Sequence, residues 1–261
     1  MIDTLRKAVS KQIELSSNST KWEKQLFPHS PPILWFGNSN AEKRIVTIGA
    51  NPSRWEVITK DNSIENRFRM LNGNESLNTV LTNETLANEI INGYNTYFTK
   101  NPYTQWFGNS DQPFKVECFL RGFNATLYNF KEVSYQCIHI DLFPFPTLDD
   151  YNKLSDIVMH DLFINGWAEV ILYSILNFLN PEKILVFGRA NSNALFTYAL
   201  SRKTKLVWSK ISNGMASYAQ ETIKVNGKKY PCLCISTNLG NPKPFTKKEL
   251  YEFGFEMRSK V

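Results

Sequence analysis

Three short segments of the chain carry side chains that could bind or transform a polar ligand. The first is Gly49-Ala50-Asn51-Pro52-Ser53-Arg54, which follows an apolar run. Glycine permits a close backbone approach and proline stiffens the loop, so the Asn51 amide could hold a water molecule or a polar ligand there. The alternative is that Asn51 only caps the turn through its own backbone.

The second segment places Asp141 at the end of an apolar run, just before residues 142–147, whose sequence is Leu-Phe-Pro-Phe-Pro-Thr. A carboxylate in such surroundings is costly unless it is paired or takes part in chemistry. Asp141 is therefore a candidate functional residue, and the alternative is a helix cap or a salt bridge with a nearby Arg or Lys.

The third segment, residues 237–245, reads Thr-Asn-Leu-Gly-Asn-Pro-Lys-Pro-Phe and includes Asn238. Its amides, its lysine and the predicted helix that follows would suit a phosphate and a sugar edge, because a helix N-terminus attracts anions. An ordinary Asn/Gly/Pro turn is the alternative.

Four apolar runs predict the strands that position these loops: residues 44–49, 137–143, 183–188 and 232–236. Helical spacing is found at residues 3–15, 64–70, 77–91, 151–166, 169–179 and 192–200. This alternation predicts an α/β fold with a parallel sheet. Since such sheets bind ligands at the carboxyl ends of their strands, the loops after Gly49, Leu142, Gly188 and Ser236 should meet in one crevice.

Two local patterns complete the C-terminal part of the fold. Asn226-Gly227 between two apolar runs predicts a β-hairpin with a type I′ turn that leads into the last strand. Thr246 followed by Glu249 is a capping-box pattern, which predicts a final helix through Met257.

Length and composition predict one globular domain over residues 1–261. The 261 residues are 42% apolar, enough for a substantial core, which excludes disordered and collagen-like classes. No apolar run reaches the roughly 18 residues of a membrane span. The four cysteines lack metal-site spacing and the first residues include charges, so we expect a cytoplasmic, reduced protein without metal or cofactor.

The positive charge of the chain is concentrated near its C-terminus. The net charge is +6, yet residues 201–261 alone hold 12 basic and 4 acidic residues, and the preceding 200 residues hold 18 and 20. A localised positive field indicates an anionic partner such as DNA.

Taken in order, these segments resemble the uracil-DNA glycosylase superfamily, and most nearly its mismatch-specific thymine/uracil branch. Gly49-Ala50-Asn51-Pro52-Ser53 is similar to the first motif of that branch, Gly-Ile-Asn-Pro-Gly. Asn238 falls on the Asn of the second motif, whose remainder is replaced here by residues 240–243. Residues 184–190 resemble the strand and glycine between the motifs, and Asp141 lies where the family carries its base-reading residue. The likeness covers most of the chain from about residue 45.

The resemblance implies a three-layer α/β/α sandwich around a mainly parallel four-stranded sheet. It also implies a monomeric, monofunctional glycosylase that flips a base out of DNA and hydrolyses its N-glycosidic bond. Asn51 would position the attacking water and Asn238 would contact the departing base or sugar. We expect Gly49, Ala50 and Pro52 to line the base pocket together with Asp141 and Phe107.

Two departures from the family bear on specificity. The family generally reads uracil with an amide, whereas a carboxylate at Asp141 would repel O4 of uracil and accept from the exocyclic amine of cytosine. We therefore predict a modified cytosine as one candidate base; alternatively, Asp141 is a general base for the water. The aromatic-rich segment at about residues 60–121 exceeds the usual connection, and its rings either enlarge the pocket or pack in the core.

DNA contacts are expected from residues near the motifs, namely Ser53, Arg54, Arg189, Lys243, Lys247 and Lys248. A non-catalytic DNA-binding or damage-sensing protein on the same fold is the main rival hypothesis. A nucleotide or small-molecule enzyme is a second rival, although no G-x-G-x-x-G or P-loop pattern follows any predicted strand. The chemistry fits both base-excision repair and defence against foreign modified DNA.

Overall fold

A mixed β-sheet runs through the molecule. The computed structural model describes all residues except 66, 202–204, 213, 241, 243 and 244, and within this part the sheet has seven strands in the order β2-β3-β1-β4-β7-β6-β5. The strands are β1 Arg44–Gly49, β2 Ala125–Thr126, β3 Tyr135–Asp141, β4 Lys183–Phe187, β5 Ser209–Lys210, β6 Ser217–Val225 and β7 Lys228–Ile235. Strands β2, β3, β1, β4 and β7 are parallel to one another, whereas β6 is antiparallel to both β7 and β5.

The prediction of a four-stranded sheet is wrong. The four predicted strands are adjacent in the order β3-β1-β4-β7, but β2, β5 and β6 extend the sheet on both sides. Strands β2 and β5 are two residues long, too short to produce a periodic apolar pattern. Strand β6 includes the first arm of the predicted hairpin, and its turn has the positive φ angles of a type I′ turn at Asn226 (48°) and Gly227 (82°).

Helices flank this sheet, which makes the architecture α/β. They are α1 Ile2–Asn18, α2 Thr20–Glu23, α3 Leu77–Thr82, α4 Glu84–Asn95, α5 Thr104–Phe107, α6 Lys115–Gly122, α7 Tyr151–Val158, α8 Trp167–Leu179, α9 Arg189–Asn193 and α10 Lys247–Arg258. Buried apolar side chains from α1 to α10 form one continuous cluster.

The predicted helices differ from the observed ones in three places. Residues 64–70 are not helical in their described part, and Ile64 instead pairs with Ile58 in an isolated β-bridge. The predicted helix at 77–91 is split, because the Asn83 side chain accepts a hydrogen bond from the Leu86 amide and starts a new helix. Helices α7 and α9 each continue into a π-helical turn, Met159–Phe163 and Ala194–Ala199.

The predicted capping box at the start of α10 is confirmed. The Thr246 hydroxyl accepts from the Glu249 amide, and the Glu249 carboxylate accepts from the Thr246 amide at 2.8 Å. Helix α10 packs closely on α6, since a Cβ at Gly254 would lie 2.0 Å from the Phe119 carbonyl oxygen. This glycine contact joins the C-terminal helix to the aromatic-rich segment.

No single helix in the described residues is long and apolar enough to cross a bilayer. Only the pair 151–163 and 167–179 reaches that length and hydropathy together, and its two halves are bent by 80°.

The parallel strands bring their carboxyl ends to one edge of the sheet. Gly49 at the end of β1 is in register with Asp141 at the end of β3, and Phe187 of β4 is in register with Ile235 of β7. The loops after these strands therefore emerge side by side, as parallel register requires.

Candidate active site

A pocket of about 370 Å³ lies at this carboxyl edge. All residues predicted to be catalytic or base-binding contribute to its lining: Gly49, Ala50, Asn51, Pro52, Phe107, Asp141 and Asn238. They come from the loop after β1, the end of β3, the loop after β7 and helix α5. The fold thus brings together segments that lie almost 200 positions apart, in a pocket of the size that binds small ligands.

The orientation of the Asn51 amide is fixed by its neighbours. Its Nδ2 donates to the Thr147 hydroxyl at 2.7 Å and to the Pro52 carbonyl at 3.1 Å. The Thr147 hydroxyl in turn donates its own proton to the Asp149 carbonyl at 2.7 Å, so it must accept from Asn51. The Asn51 Oδ1 is thereby left as the acceptor, and it has no hydrogen bond to the described residues.

Asn238 has free hydrogen-bond donors, whereas Asn51 has a free acceptor. Its Oδ1 accepts from the Gly240 amide at 3.0 Å, which leaves the Nδ2 donors without a partner in the described part of the chain. Gly240 lies directly against Trp106, because a Cβ there would come within 2.1 Å of the indole ring. The aromatic-rich segment therefore packs on the loop after β7. Any larger residue at position 240 would push this loop and Trp106 apart.

Asp141 is buried without full hydrogen bonding. Only 5% of the residue is exposed, its Oδ1 lies 3.4 Å from His139 Nε2, and its Oδ2 has no hydrogen-bond partner in the described residues. His139 Nδ1 is 2.9 Å from the Thr47 hydroxyl. A buried polar atom without a partner is costly, and such atoms are concentrated where a ligand supplies the missing bond.

Gly49 makes this arrangement possible. A Cβ at position 49 would lie 2.4 Å from Asp141 Oδ1 and 2.9 Å from His139 Nε2. Because His139 and Asp141 are two residues apart on β3, both side chains project from the same face of the strand toward this glycine. The first motif thus accommodates the carboxylate and the imidazole in addition to lining the pocket.

A second buried carboxyl, Glu56, lines the same pocket. It ends the 3₁₀ turn Arg54–Glu56, is 3% exposed, and accepts a hydrogen bond from the Tyr97 hydroxyl at 2.7 Å. Burial raises the pKa of the Glu56 carboxyl to about 8, and the negative charge of Asp141 adds to this rise. Glu56 is therefore mostly protonated at neutral pH.

The rings of the aromatic-rich segment divide between core and pocket. Tyr97 and Phe98 are core residues, at 0% and 7% exposure, and Phe114 packs against the core. Tyr103 and Trp106 are half-buried and line the pocket. Phe107 does both, since it is buried yet lines the pocket, with its ring edge-on to His139 at 5.1 Å.

The pocket lining is acidic. It includes four carboxyl side chains, Glu56, Asp141, Asp149 and Asp150, and within the described residues it includes no Lys or Arg. A phosphate inside the pocket would meet these carboxyls without a compensating cation, whereas an uncharged ligand with hydrogen-bond donors would fit them.

Of the predicted DNA-binding residues that the structure describes, only Ser53 contributes to the pocket lining. Ser53 also accepts from the Trp55 amide at the start of the 3₁₀ turn. Arg54 stacks on Trp55 at 4.2 Å and Arg189 on Trp208 at 4.6 Å. These two cations are thereby held against flat aromatic surfaces.

Two of the three predicted lysines lie at the start of α10, the helix that follows the loop after β7. Lys247 and Lys248 are exposed in the first turn of α10, where the helix dipole disfavours cations, and Lys248 is 3.7 Å from Glu252. Their position therefore adds nothing to helix stability through the dipole. Lys243 lies outside the described residues.

The C-terminal positive charge is divided between the two edges of the sheet. Lys228 and Lys229 follow the hairpin turn at the amino end of β7, and Lys224 is in register with Lys229. These lysines lie at the opposite edge from Asn238, which follows the carboxyl end of the same strand. Only part of the predicted positive field is thus available to a ligand at the pocket.

Several residues that line this site were not predicted from the sequence, among them Glu56, His139 and Thr147. A signal existed for His139, because it lies two positions before Asp141 on a predicted strand and so shares its face. Glu56 and Thr147 enter the site through loop geometry that no periodic pattern records. Among the described residues no group of three or more His, Cys, Asp or Glu side chains could hold a metal ion.

The chain matches no protein-family model and no curated protein.

Proposed function

We propose that this chain is a DNA glycosylase that hydrolyses the N-glycosidic bond of a flipped-out pyrimidine, on a three-layer fold like that of the uracil-DNA glycosylases. One observation carries the proposal. Asn51 from the loop after β1, Asp141 from the end of β3 and Asn238 from the loop after β7 line one pocket, and each has a polar side-chain atom without a partner in the described residues.

Asn51 has the polarity needed to hold the attacking water. Its Oδ1 is the free acceptor, so it binds a water proton and directs the water oxygen toward C1′ of the sugar. The water oxygen bonds to C1′ while the C1′–N bond breaks, and the electron pair of that bond leaves with the base. The proton released by the water ends on the departing base, which balances the hydrolysis.

Asn238 has the polarity needed to stabilise the leaving group. Negative charge develops on the oxygen of the departing base, and the free Nδ2 donors of Asn238 are suited to meet it. Asn238 is exposed at the edge of the pocket, a position that also suits contact with the sugar.

Asp141 supports a base that carries an amino group. The unpartnered Oδ2 needs a donor, and the exocyclic amine of cytosine or a modified cytosine supplies one, whereas O4 of uracil does not. We therefore place modified cytosines ahead of uracil as substrates, within either repair or defence against foreign modified DNA.

The acidic pocket lining supports separate binding sites for the base and for the phosphates of the DNA. The neutral base enters the pocket after it has been flipped out of the duplex, and the phosphates remain outside. Arg54, Arg189, Lys247 and Lys248 are the cations proposed to hold them.

A panel of excision assays tests the proposal. Duplexes of one sequence would carry uracil, a thymine mismatch, 5-methylcytosine or 5-hydroxymethylcytosine, and released base would be measured at several salt concentrations. We expect release of at least one modified cytosine, falling steeply as salt rises. Tight DNA binding without release of any base would favour the non-catalytic rival, and efficient release of uracil alone would overturn the specificity assigned to Asp141.

A further inference from the structure

Glu56 lines the pocket but has no part in the mechanism proposed above. Its side chain is 3% exposed, and it shares the pocket with Asp141, a second carboxyl that is almost as deeply buried. Two carboxyls in one small pocket are costly unless one of them keeps its proton. The hydrogen bonds around Glu56 show which of its oxygens would carry that proton.

A chain of hydrogen bonds ends on Glu56 Oε2. The Tyr103 amide donates to the Tyr97 hydroxyl oxygen at 2.8 Å, and the Tyr97 hydroxyl donates to Glu56 Oε2 at 2.7 Å. Because Oε2 accepts from Tyr97, as the C=O oxygen of a neutral carboxyl group does best, we place the acidic proton on Oε1. Oε1 has no hydrogen bond to the described residues, so the proton is free to be donated to a ligand.

The surroundings of Glu56 keep it in the protonated form. Burial is the largest cause of the rise in its pKa to about 8, and the charges of Asp141 and Glu65 act in the same direction. The Tyr97 hydrogen bond and the charge of Arg67 oppose the rise. Arg67 Nε is 4.0 Å from Glu56 Oε2 and donates to the Trp55 carbonyl at 3.1 Å, while Nη2 is 3.1 Å from Glu65 and Nη1 donates to the Asn101 carbonyl.

We infer that Glu56 is a ligand-binding and specificity-determining residue, which donates from Oε1 to a ring nitrogen of the flipped base while Asp141 accepts from the amino group beside that nitrogen. This inference rests on the proposed function and deepens it. A cytosine-type edge offers an acceptor at N3 next to an amino donor at C4, which complements the two carboxyls. A uracil-type edge reverses both groups, so donor would face donor and acceptor would face acceptor.

The test uses the full chain and two duplexes of the same sequence. One carries 2′-fluoro-5-methylcytidine and the other 2′-fluorouridine, each opposite an abasic site so that neither base is paired. The fluorine slows hydrolysis, and dissociation constants would be measured at pH 6.5 and pH 9. The variants are Glu56→Gln, which keeps a donor that does not titrate, and Glu56→Met, which has none. Glu89→Gln is the control, because Glu89 is exposed, pairs with Arg69 and does not line the pocket.

We expect the wild-type protein to bind the cytosine-type duplex about 10- to 100-fold more tightly than the uracil-type duplex at pH 6.5. This preference should fall at pH 9, where Glu56 loses its proton, to the part that Asp141 supplies. Glu56→Gln should keep the full preference at both pH values, Glu56→Met should show only the part from Asp141 at both, and Glu89→Gln should behave as wild type.

Two results would overturn the inference. A Glu56→Met variant that keeps the full preference shown by the wild-type protein at pH 6.5 would show that Glu56 does not read the base, and a Glu56→Gln variant whose preference still falls at pH 9 would assign the titration to another group. If the wild-type protein excises bases normally while either result is found, the proposed function stands without the inference. If it neither binds these duplexes nor releases any base, both fail.

Discussion

Glu117 and Asp141 are both buried carboxyls, but Glu117 accepts hydrogen bonds at both of its oxygens and Asp141 does not in the described residues. Glu117 is 0% exposed and accepts hydrogen bonds from the Thr126 hydroxyl at 2.6 Å, the Arg121 Nε at 2.9 Å and the Leu127 amide at 3.0 Å. Asp141 is 5% exposed, has one contact to His139 at 3.4 Å, and leaves Oδ2 without a partner in the described residues.

The difference shows that burial alone does not identify a functional carboxyl. Burial raises the pKa of Glu117, but its three donors oppose that rise and tie α6 to β2. All of its hydrogen bonds lie within the chain, whereas Asp141 and Glu56 lie in a pocket where a ligand must complete theirs. Glu117 therefore stabilises the fold, whereas we expect the pocket carboxyls to bind a ligand.

Amide substitutions at the two positions should separate these roles. Glu117→Gln breaks a buried ion pair, so we expect the free energy of unfolding to fall by about 3–5 kcal/mol. Asp141→Asn removes a charge that is poorly satisfied, so it should change stability by less than about 1 kcal/mol and alter base preference instead. Urea unfolding and the excision panel measure the two effects.

The comparison between Glu117 and Asp141 would fail if Asp141→Asn destabilised the protein as much as Glu117→Gln does. It would also fail if base preference were the same in Asp141→Asn as in the wild-type protein.

Glu56 should make stability depend on pH. Folded Glu56 holds its proton up to about pH 8, while an ordinary Glu releases it near 4.5, so the folded state binds more protons between these values. The stabilising contribution is fully present below about pH 4.5 and is lost as pH rises through about 8, by at most about 1.4 kcal/mol per pH unit. Subtracting the unfolding free energy of Glu56→Gln from that of wild type, measured from pH 5 to pH 9, isolates this slope. An equal slope in both proteins would show that Glu56 is ionised in the folded state.

Gly49→Ala should damage the pocket and leave the rest of the fold intact. Its Cβ would approach Asp141 Oδ1 to 2.4 Å, so we expect a loss of about 1–3 kcal/mol in stability and a larger relative loss of base release. Gly93→Ala is the matched control, since its nearest contact would be 3.5 Å and helix α4 favours alanine by up to about 1 kcal/mol. Equal effects of the two substitutions would argue against crowding at Gly49.

Lysines at the two edges of the sheet should differ in their effect on DNA binding. The logarithm of the DNA-binding constant falls with the logarithm of the salt concentration. Replacing Lys247 and Lys248 with Ala should make this slope shallower, by about 0.9 for each phosphate that is no longer neutralised. Replacing Lys228 and Lys229, at the hairpin edge, should leave that slope unchanged. Fluorescence anisotropy over a range of salt concentrations measures both pairs, and equal slopes would remove α10 from the proposed DNA-binding surface.

The central strands and the meeting of three site residues at their carboxyl ends were predictable from the sequence. Strand β1 has the predicted bounds, and β3, β4 and β7 contain most of the predicted apolar runs, because buried parallel strands leave continuous apolar segments. Parallel order then required Asn51, Asp141 and Asn238 to meet at one edge. The pocket confirms that meeting, while their chemical roles remain predictions.

The remaining features depend on contacts between distant segments. The acceptor role of Asn51 Oδ1 follows from Thr147, which lies 96 positions away. Glu56 becomes a protonated pocket residue only because Tyr97 and the surrounding rings bury it, and nothing in the local sequence encodes that burial. The four-strand prediction was wrong for a related reason, since β2 and β5 are defined by their partner strands rather than by their own two residues.

Single-turnover base release by the wild-type protein and by Asn51→Ala tests the central claim most directly. The substrate would be the duplex released fastest in the excision panel, at protein concentrations that saturate binding. We predict that Asn51→Ala binds this duplex with unchanged affinity and releases its base about 10²- to 10⁴-fold more slowly, because the water loses its acceptor. Release by Asn51→Ala at the wild-type rate would contradict the claim that the pocket at the carboxyl edge of the sheet positions the attacking water.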